Sequence, residues 1–240
     1  MVSIIEWPRC VLRPQQISAN VVPFTRSGGK SLGGVDYAVR TDLGYWSIQY
    51  SNIVMRPRQT AEWRTWNAVR SKLGGRSGLI AVEASSSRTT PYASGSFEPP
   101  IFVPHDDNTP FSDSTEYRQG AVSIVANADA PIAATVISLR VINAGEDIVG
   151  ARFSYQHALY EIASAIEIDG DVWTVQVSPS LRAPIPADAD LEFDKPTCLC
   201  HLAEDRAMDI QEDRTSRSSY PSVLFTEATD YWNQLALGLI

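Results

Sequence analysis

Three short segments carry residue types that could do chemistry: Gly29-Lys30-Ser31, His105-Asp106-Asp107 and Cys198-Leu199-Cys200-His201. The first has the residues that close a phosphate-binding loop, where backbone amides and a lysine cradle phosphate oxygens. The first glycine of that motif belongs at position 24, which is Phe24, and no strand–loop–helix surrounds the lysine. Nucleotide binding is therefore not expected. The C-x-C-H segment could offer thiolates and an imidazole to a metal, but it lacks a second ligand pair, and His105 and His157 lie far away in sequence. On a strand, Cys198 and Cys200 share a face, as small buried apolar residues do. The His-Asp-Asp segment could hold a divalent ion or move a proton, although a solvated polar loop is the better reading. Glu192, Asp194, Glu204, Asp205, Asp209, Glu212 and Asp213 are numerous, yet no spacing pairs two of them across a cleft. The run from Glu204 to Arg217 reads as a solvated face or an interface rim. The expectation is a protein without catalytic residues, cofactor or metal.

The elements that must position any site are mostly strands. Ile4 to Leu12 reads as an edge or bent strand because Pro8 interrupts it. Val21 to Phe24 reads as a short strand, and Ser27 to Gly34 as a glycine-rich loop. In Gly44 to Met55, Trp46, Ile48 and Tyr50 alternate with Tyr45, Ser47 and Gln49, the period of a strand with one apolar face. Pro57 to Leu73 is the clearest amphipathic helix. Trp63, Trp66, Val69 and Leu73 fall on one stripe, Pro57 suits the first turn, and Arg58–Glu62 offers a polar-side pair. Gly74-Gly75 supplies the stop. Burying two indoles would contribute roughly 3–5 kcal/mol, so Trp63, Trp66, Leu73 and Gly75 are the expected structural anchor. Gly78 to Glu83 is the next strand.

From Ala84 to Gln119, Ser, Thr, Pro, Asp and Asn dominate. A structureless stretch of that length is unusual inside a compact domain. It reads as an extended arm, a domain connection or a loop that orders against a partner, and its Tyr92, Phe97, Ile101, Phe102, Val103 and Phe111 favour ordering over a free linker. Short β-branched runs follow at Ala121–Ala126, Val136–Ile142, Ala151–Ser154, Ala158–Ile168, Val172–Ser178 and Leu191–Phe193, the spacing of a small barrel or sandwich. Asp169-Gly170 reads as the primed turn of a hairpin. Tyr220 to Ala228 is one more strand. The tail from Tyr231 to Ile240 carries Trp232, Leu235 and Leu237 and should dock on its own core or on a neighbouring subunit.

Composition bounds the rest. With 44% hydrophobic and 20% charged residues in 240, the chain is globular and long enough for one large or two smaller β domains. No apolar run approaches the ~20 residues that span a bilayer, and the N-terminus lacks the pattern of a secretory signal. Cys10, Cys198 and Cys200 read as reduced thiols made in a cytoplasm. A net charge of −8 and a pI near 4.9 argue against general attraction to nucleic acid and would suit a wall past which DNA slides.

The segments GYWSIQYSNIVM and RQTAEWRTWNAVRSKLGGRSG, with Trp63, Trp66 and Gly75-Arg76, together resemble minor tail proteins of tailed bacteriophages. So do INAGEDIVGARFSYQHALYEI and the run with Pro179-Ser180-Leu181-Arg182 and Phe193-Asp194-Lys195-Pro196. The resemblance covers most of the chain and marks architecture, not chemistry. It implies a mainly β protein akin to the distal tail protein. The expected first domain is a tail-tube-like β-sandwich braced by one α-helix, built from residues 1–97 and 196–240. A small SH3- or OB-like β-barrel, residues 98–195, is inserted before the final strands. The implied function is structural. Copies, six in the usual case, form a ring at the distal end of the tail tube. The ring meets the tube protein, the hub or baseplate proteins and possible fibres, and DNA passes through its lumen without specific binding. The implied location is the virion tail tip, with no membrane partner, after synthesis in the host bacterial cytoplasm. Tyr92, Phe97, Phe102, Phe111, Trp232, Leu235 and Leu237 are the candidate subunit contacts. Two other classes stay open: a carbohydrate-binding module using Tyr92, Phe97, Trp173 or Trp232, and a cell-wall hydrolase using Asp106 and Asp107.

Overall fold

A computed structural model describes residues 4–30, 33, 34, 36–103, 109, 113, 115–210 and 218–239. The protein is mainly β. In chain order come β1 (Ile5–Glu6), β2 (Gln16–Lys30), β3 (Asp36–Ser51), helix α1 (Thr60–Leu73) and β4 (Ile80–Glu83). Then follow β5 (Ile101–Val103), β6 (Tyr117–Gln119), β7 (Ser123–Ala126), β8 (Val136–Asn143), β9 (Arg152–Tyr155), β10 (Ala158–Asp169) and β11 (Val172–Ser178). β12 (Thr197–Leu202), β13 (Val223–Glu227) and helix α2 (Thr229–Ala236) complete the order. The chain divides into two compact units, Met1–Ala84 with Thr197–Ile240, and Ser85–Pro196. Residues 85–97, expected with the first unit, belong to the second. The Gly145 N–H donates to Pro91 O at 2.8 Å there, and Tyr92 is buried.

The first unit is a six-stranded sheet in the order β1-β4-β12-β13-β3-β2, with β1 parallel to β4 and the other pairs antiparallel. Trp46, Ile48 and Tyr50 are fully buried, as the alternation along β3 predicts. The N-terminal strand is shorter than expected. It ends at Glu6, because the N–H groups of Val11 and Leu12 fold back onto Pro8 O. β2 is much longer than expected. Its pairing with β3 runs through Ser27↔Ala38 to Lys30↔Asp36, with a register shift that absorbs Gly28-Gly29 as a bulge instead of a loop.

Helix α1 starts three residues later than the sequence predicts. Pro57 sits inside a turn closed by Gln59 N–H to Arg56 O (3.1 Å), where proline's fixed φ fits. Gln59 makes no side-chain cap, and Glu62 instead ties the helix to the turn before it. Its carboxylate accepts the Arg56 N–H at 2.5 Å and faces the Arg56 guanidinium at 3.4 Å. The expected Arg58–Glu62 pair is thereby replaced. The buried stripe is Glu62, Trp66, Val69 and Leu73; Trp63 is only half-buried and donates its indole N–H to Arg56 O. Trp63 is thus not part of the anchor, because the helix is rotated to place Trp66 inward. Trp66 meets Trp7 edge-on at 6.4 Å and donates to Met208 O at 3.0 Å. Trp7 in turn contacts Tyr50 and Phe225, which also contact each other. Gly75 has φ +82°, and a Cβ on it would lie 2.7 Å from the Asp205 carboxylate, which accepts the Arg76 N–H. Its anchoring role is that of a turn that admits no side chain.

A second helix appears where an apolar tail was expected. α2 buries Trp232, and the backbone entering it is tied to β12 by the Ala228 N–H to Leu199 O (2.9 Å). The expected single helix is therefore corrected to two.

The second unit holds a five-stranded sheet, β7-β8-β11-β10-β9, and the small pair β5-β6. The latter lies in the stretch expected to lack regular structure. The β10–β11 turn is Gly170-Asp171, one residue later than predicted, with Gly170 at φ +61° as a two-residue primed turn requires. Leu191 to Phe193 is not a full strand. Residues 185–192 instead form bridges at Ala130↔Ile185, Val125↔Asp190 and Ser154↔Glu192, touching both edge strands of the sheet. Phe153, Tyr160 and Phe193 form the aromatic part of its core.

The difference between the two helix tryptophans is measurable. Trp66→Ala is expected to lower stability by about 3–5 kcal/mol, the cost of a large core truncation. Trp63→Ala should lose only about 1 kcal/mol, the net worth of one exposed hydrogen bond with partial packing. Urea unfolding of both variants checks this, and equal losses would refute the stripe assigned above.

Candidate assembly surface

The most unusual feature of the first unit is a two-stranded arm. β13 pairs with β3 only from Val223↔Tyr50 to Thr226↔Ser47. β2 and β3 continue pairing past that point, from Val21↔Trp46 to Lys30↔Asp36. Nine residues of β2 lie in this extension (22–30), a reach of about 30 Å at strand rise. Among the described residues no third strand flanks either edge of the extension. Phe24 and Val39 are exposed on it. Glu227 marks where the sheet stops and the arm begins. Its buried carboxylate accepts the Trp46 N–H at 2.9 Å, standing in for the next carbonyl of β13.

The candidate contact residues divide sharply. Phe97 and Phe102 are exposed at 66% and 64%, and Leu235 and Leu237 at 37% and 73%. Tyr92 and Trp232 are not available: both are buried, Tyr92 edge-on to Phe97 and Trp232 beneath Tyr231. The Trp232 indole N–H has no acceptor among the described residues. Phe111 lies outside the described residues, as does the His105-Asp106-Asp107 segment and Ser31 of the glycine–lysine motif. The arm itself was missed. The glycines at 28 and 29 read as a loop, although Ile17, Ala19 and Val21 alternate with Ser18 and Asn20 in strand period.

The polar clusters are consumed internally. Arg9 forms an ion pair with the buried Glu83, whose backbone carbonyl accepts the Tyr50 hydroxyl at 2.7 Å. Burial pushes the Tyr50 phenol well above its ordinary range and the Arg9 guanidinium below its own. Cys198 and Cys200 are both buried on β12, and no cluster of metal-ligating residues exists among the described residues. His201 Nδ1 lies 3.0 Å from Gly78 O, and Nε2 lies 2.8 Å from the Asp230 carboxylate. Both partners are acceptors, so a ring nitrogen that carries a proton donates to the one it faces. The ring thereby ties α2 and β12 to the turn before β4. Burial raises the Asp230 carboxyl, but the hydrogen bond and charge of His201, with the Tyr231 N–H, outweigh it and leave the group below its ordinary value. No described helix is long and apolar enough to cross a membrane. A scan of protein-family models and a search of curated proteins find no match to this chain.

The Asp230 link gives a pH dependence with a defined sign. A carboxyl held below its unfolded value of 3.8 contributes stability that is complete above that value. The contribution is lost as pH falls through the lower folded value. Acid titration followed by Trp232 fluorescence should show α2 loosening below about pH 4. Asp230→Asn should remove that step, and an identical acid transition in the variant would rule out the link.

Proposed function

We propose that this chain is a structural subunit of a tailed-bacteriophage virion, forming a ring at the distal end of the tail tube. The ring joins the tube to the hub or baseplate and its fibres and lets DNA pass. Copies number six in the resembling proteins, and the chain has no catalytic role. The single observation that carries this reading is the arm. An isolated two-stranded hairpin is marginal in water, and unpaired strand edges are templates for other strands. An extension of nine residues that no third strand flanks among the described residues is therefore suited to lie against neighbouring copies. Head-to-tail repetition closes such contacts into a ring. The internal use of His201, Glu62, Glu83 and Glu227 agrees with a scaffold, since each of these groups already holds an element in place. Leu235 and Leu237 on the end of α2 supply a further apolar contact.

A second reading rests on the other unit. Tyr92, Phe97, Glu98, Pro100, Glu192 and Asp194 line a cavity of about 290 Å³ with an exposed aromatic at its mouth. Aromatic and carboxylate walls of that kind suit a sugar ring, the mode of a carbohydrate-binding module.

Val22 and Tyr45 lie opposite each other, so residues 23–44 can be replaced by Asn-Gly to end the hairpin at the sheet. The full chain is expected to form annular particles by native mass measurement and negative-stain imaging. The shortened chain should remain a monomer that still unfolds cooperatively, with far-ultraviolet dichroism reduced only by the deleted strand residues. Annuli from the shortened chain would remove the arm from the argument, and a full chain that never leaves the monomer would overturn the ring.

A further inference from the structure

The net charge of −8 is divided unevenly between the units. The first holds fourteen Lys and Arg against twelve Asp and Glu, a net of +2. The second holds six against sixteen, a net of −10. Within the first unit the cations concentrate on and beside α1. Residues 56–76 contain Arg56, Arg58, Arg64, Arg70, Lys72 and Arg76 against one acid, Glu62, which is buried and held by Arg56. Arg64, Arg70 and Lys72 are all exposed on the helix, and the half-buried Trp63 lies among them. Arg70 approaches Asp209 only at 4.0 Å, and Arg64 and Lys72 meet no carboxylate among the described residues.

The second unit has a surface of the opposite kind. The end of the β10–β11 hairpin presents Glu167, Asp169 and Asp171, all exposed and without an ion-pair partner among the described residues. Ile166 and Ile168 stand exposed beside them at 60% and 54%. Ile166 falls in the bulge between Ala165 and Glu167, which departs from the regular alternation of β10. The hairpin end thus carries acids on one side and exposed Ile168 on the other, and the outward half of α1 carries the cations with Trp63 at its margin.

We propose that the basic face of α1 in one copy docks on the acidic, isoleucine-bearing end of the β10–β11 hairpin in a neighbouring copy. This contact rests on the ring reading and names one of its interfaces. It is heterologous, because the two patches differ and every copy carries both. The charges steer approach and fix register, while Trp63, Ile166 and Ile168 supply the dehydrated centre. A nucleic acid could also cover the helix, but it would leave the hairpin's isoleucines in water and its carboxylates unpaired. A second copy satisfies both patches.

The test uses the full chain and two charge-reversed variants, Arg64→Glu with Lys72→Glu, and Glu167→Lys with Asp171→Lys. All four positions are exposed, so far-ultraviolet dichroism and melting should match the original chain. Self-association, read by sedimentation velocity, should weaken at least about tenfold between low and high salt. Each variant alone should associate about tenfold more weakly or worse, since like charges then face each other. An equimolar mixture should recover association, because the acidic helix of one variant meets the basic hairpin of the other, and their two unaltered patches meet in turn. Full association of either variant alone overturns the proposal while leaving the ring intact. Failure of the mixture also overturns it, as expected for a contact made within one chain. Binding of labelled duplex DNA that is lost in the helix variant, with self-association unchanged, assigns the face to nucleic acid instead. A full chain that does not associate at any salt overturns the ring reading and this contact with it.

Discussion

The first unit is organised by what happens to the outer hydrogen bonds of β3 at Trp46. From Ser47 to Tyr50 the strand is flanked on both sides, by β2 and β13. Before Ser47 it keeps only β2. A strand cannot leave a sheet without finding new partners for its amides or exposing them to water. At the boundary the Glu227 carboxylate supplies one acceptor from within the fold, to the Trp46 N–H. A buried carboxylate is costly unless hydrogen-bonded, so this placement stabilises the boundary and sets where the sheet can end. Beyond it, among the described residues, β2 and β3 pair with each other and with no third strand. That is the physical reason for reading the protein as part of a larger object.

A projecting arm needs a rigid base, and the aromatic cluster provides it. Trp7, Tyr50 and Phe225 come from three separate strands or their flanks, and Trp66 joins them from α1. Each ring of this size buries roughly 150–250 Å², and edge-on contacts add to that. The indole N–H groups of Trp7 and Trp66 are satisfied by Leu12 O and Met208 O, so their burial leaves no orphaned donor. The same cluster fixes the rotation of α1. Once Trp66 and Leu73 point inward, Arg64 must point out, and the helix face becomes basic without any further cause. Packing thus determines which charges are displayed.

The mainly β class and the strands with clear alternation were legible because burial on one face imposes period two, as with Trp46, Ile48 and Tyr50. The helix was legible in extent to within three residues, but its rotation was not. Two tryptophans at i and i+3 cannot both be central on a face whose other members are Glu62 and Val69, and a buried glutamate is invisible to a hydrophobicity pattern. The arm was hidden because glycines weaken strand signals and a bulge can absorb them. α2 was hidden because eight residues are too short a window for a helical period to stand out from an apolar tail. Tyr92 and Trp232 were assigned to the surface because loop and tail residues default to exposure. Contacts such as Gly145 with Pro91, fifty-odd positions apart, cannot be read from one chain.

The charge division bears on how a ring of this kind could tolerate DNA. A clustered cationic helix would hold phosphates and slow a passing duplex, since each neutralised phosphate releases counterions and strengthens binding. In the proposed ring the cations of α1 are covered by carboxylates of the neighbouring hairpin, so the same contact that joins subunits also removes the phosphate-binding face. Covering Arg64, Arg70 and Lys72 with Glu167, Asp169 and Asp171 leaves the sum of charges of each copy at −8 while removing its basic face. In that proposed ring, assembly and passage are coupled through one electrostatic arrangement. An unassembled subunit displays a basic face, and an assembled one does not. Placing the cations on a rigid helix and the acids on a hairpin end lets this change occur without any element having to refold.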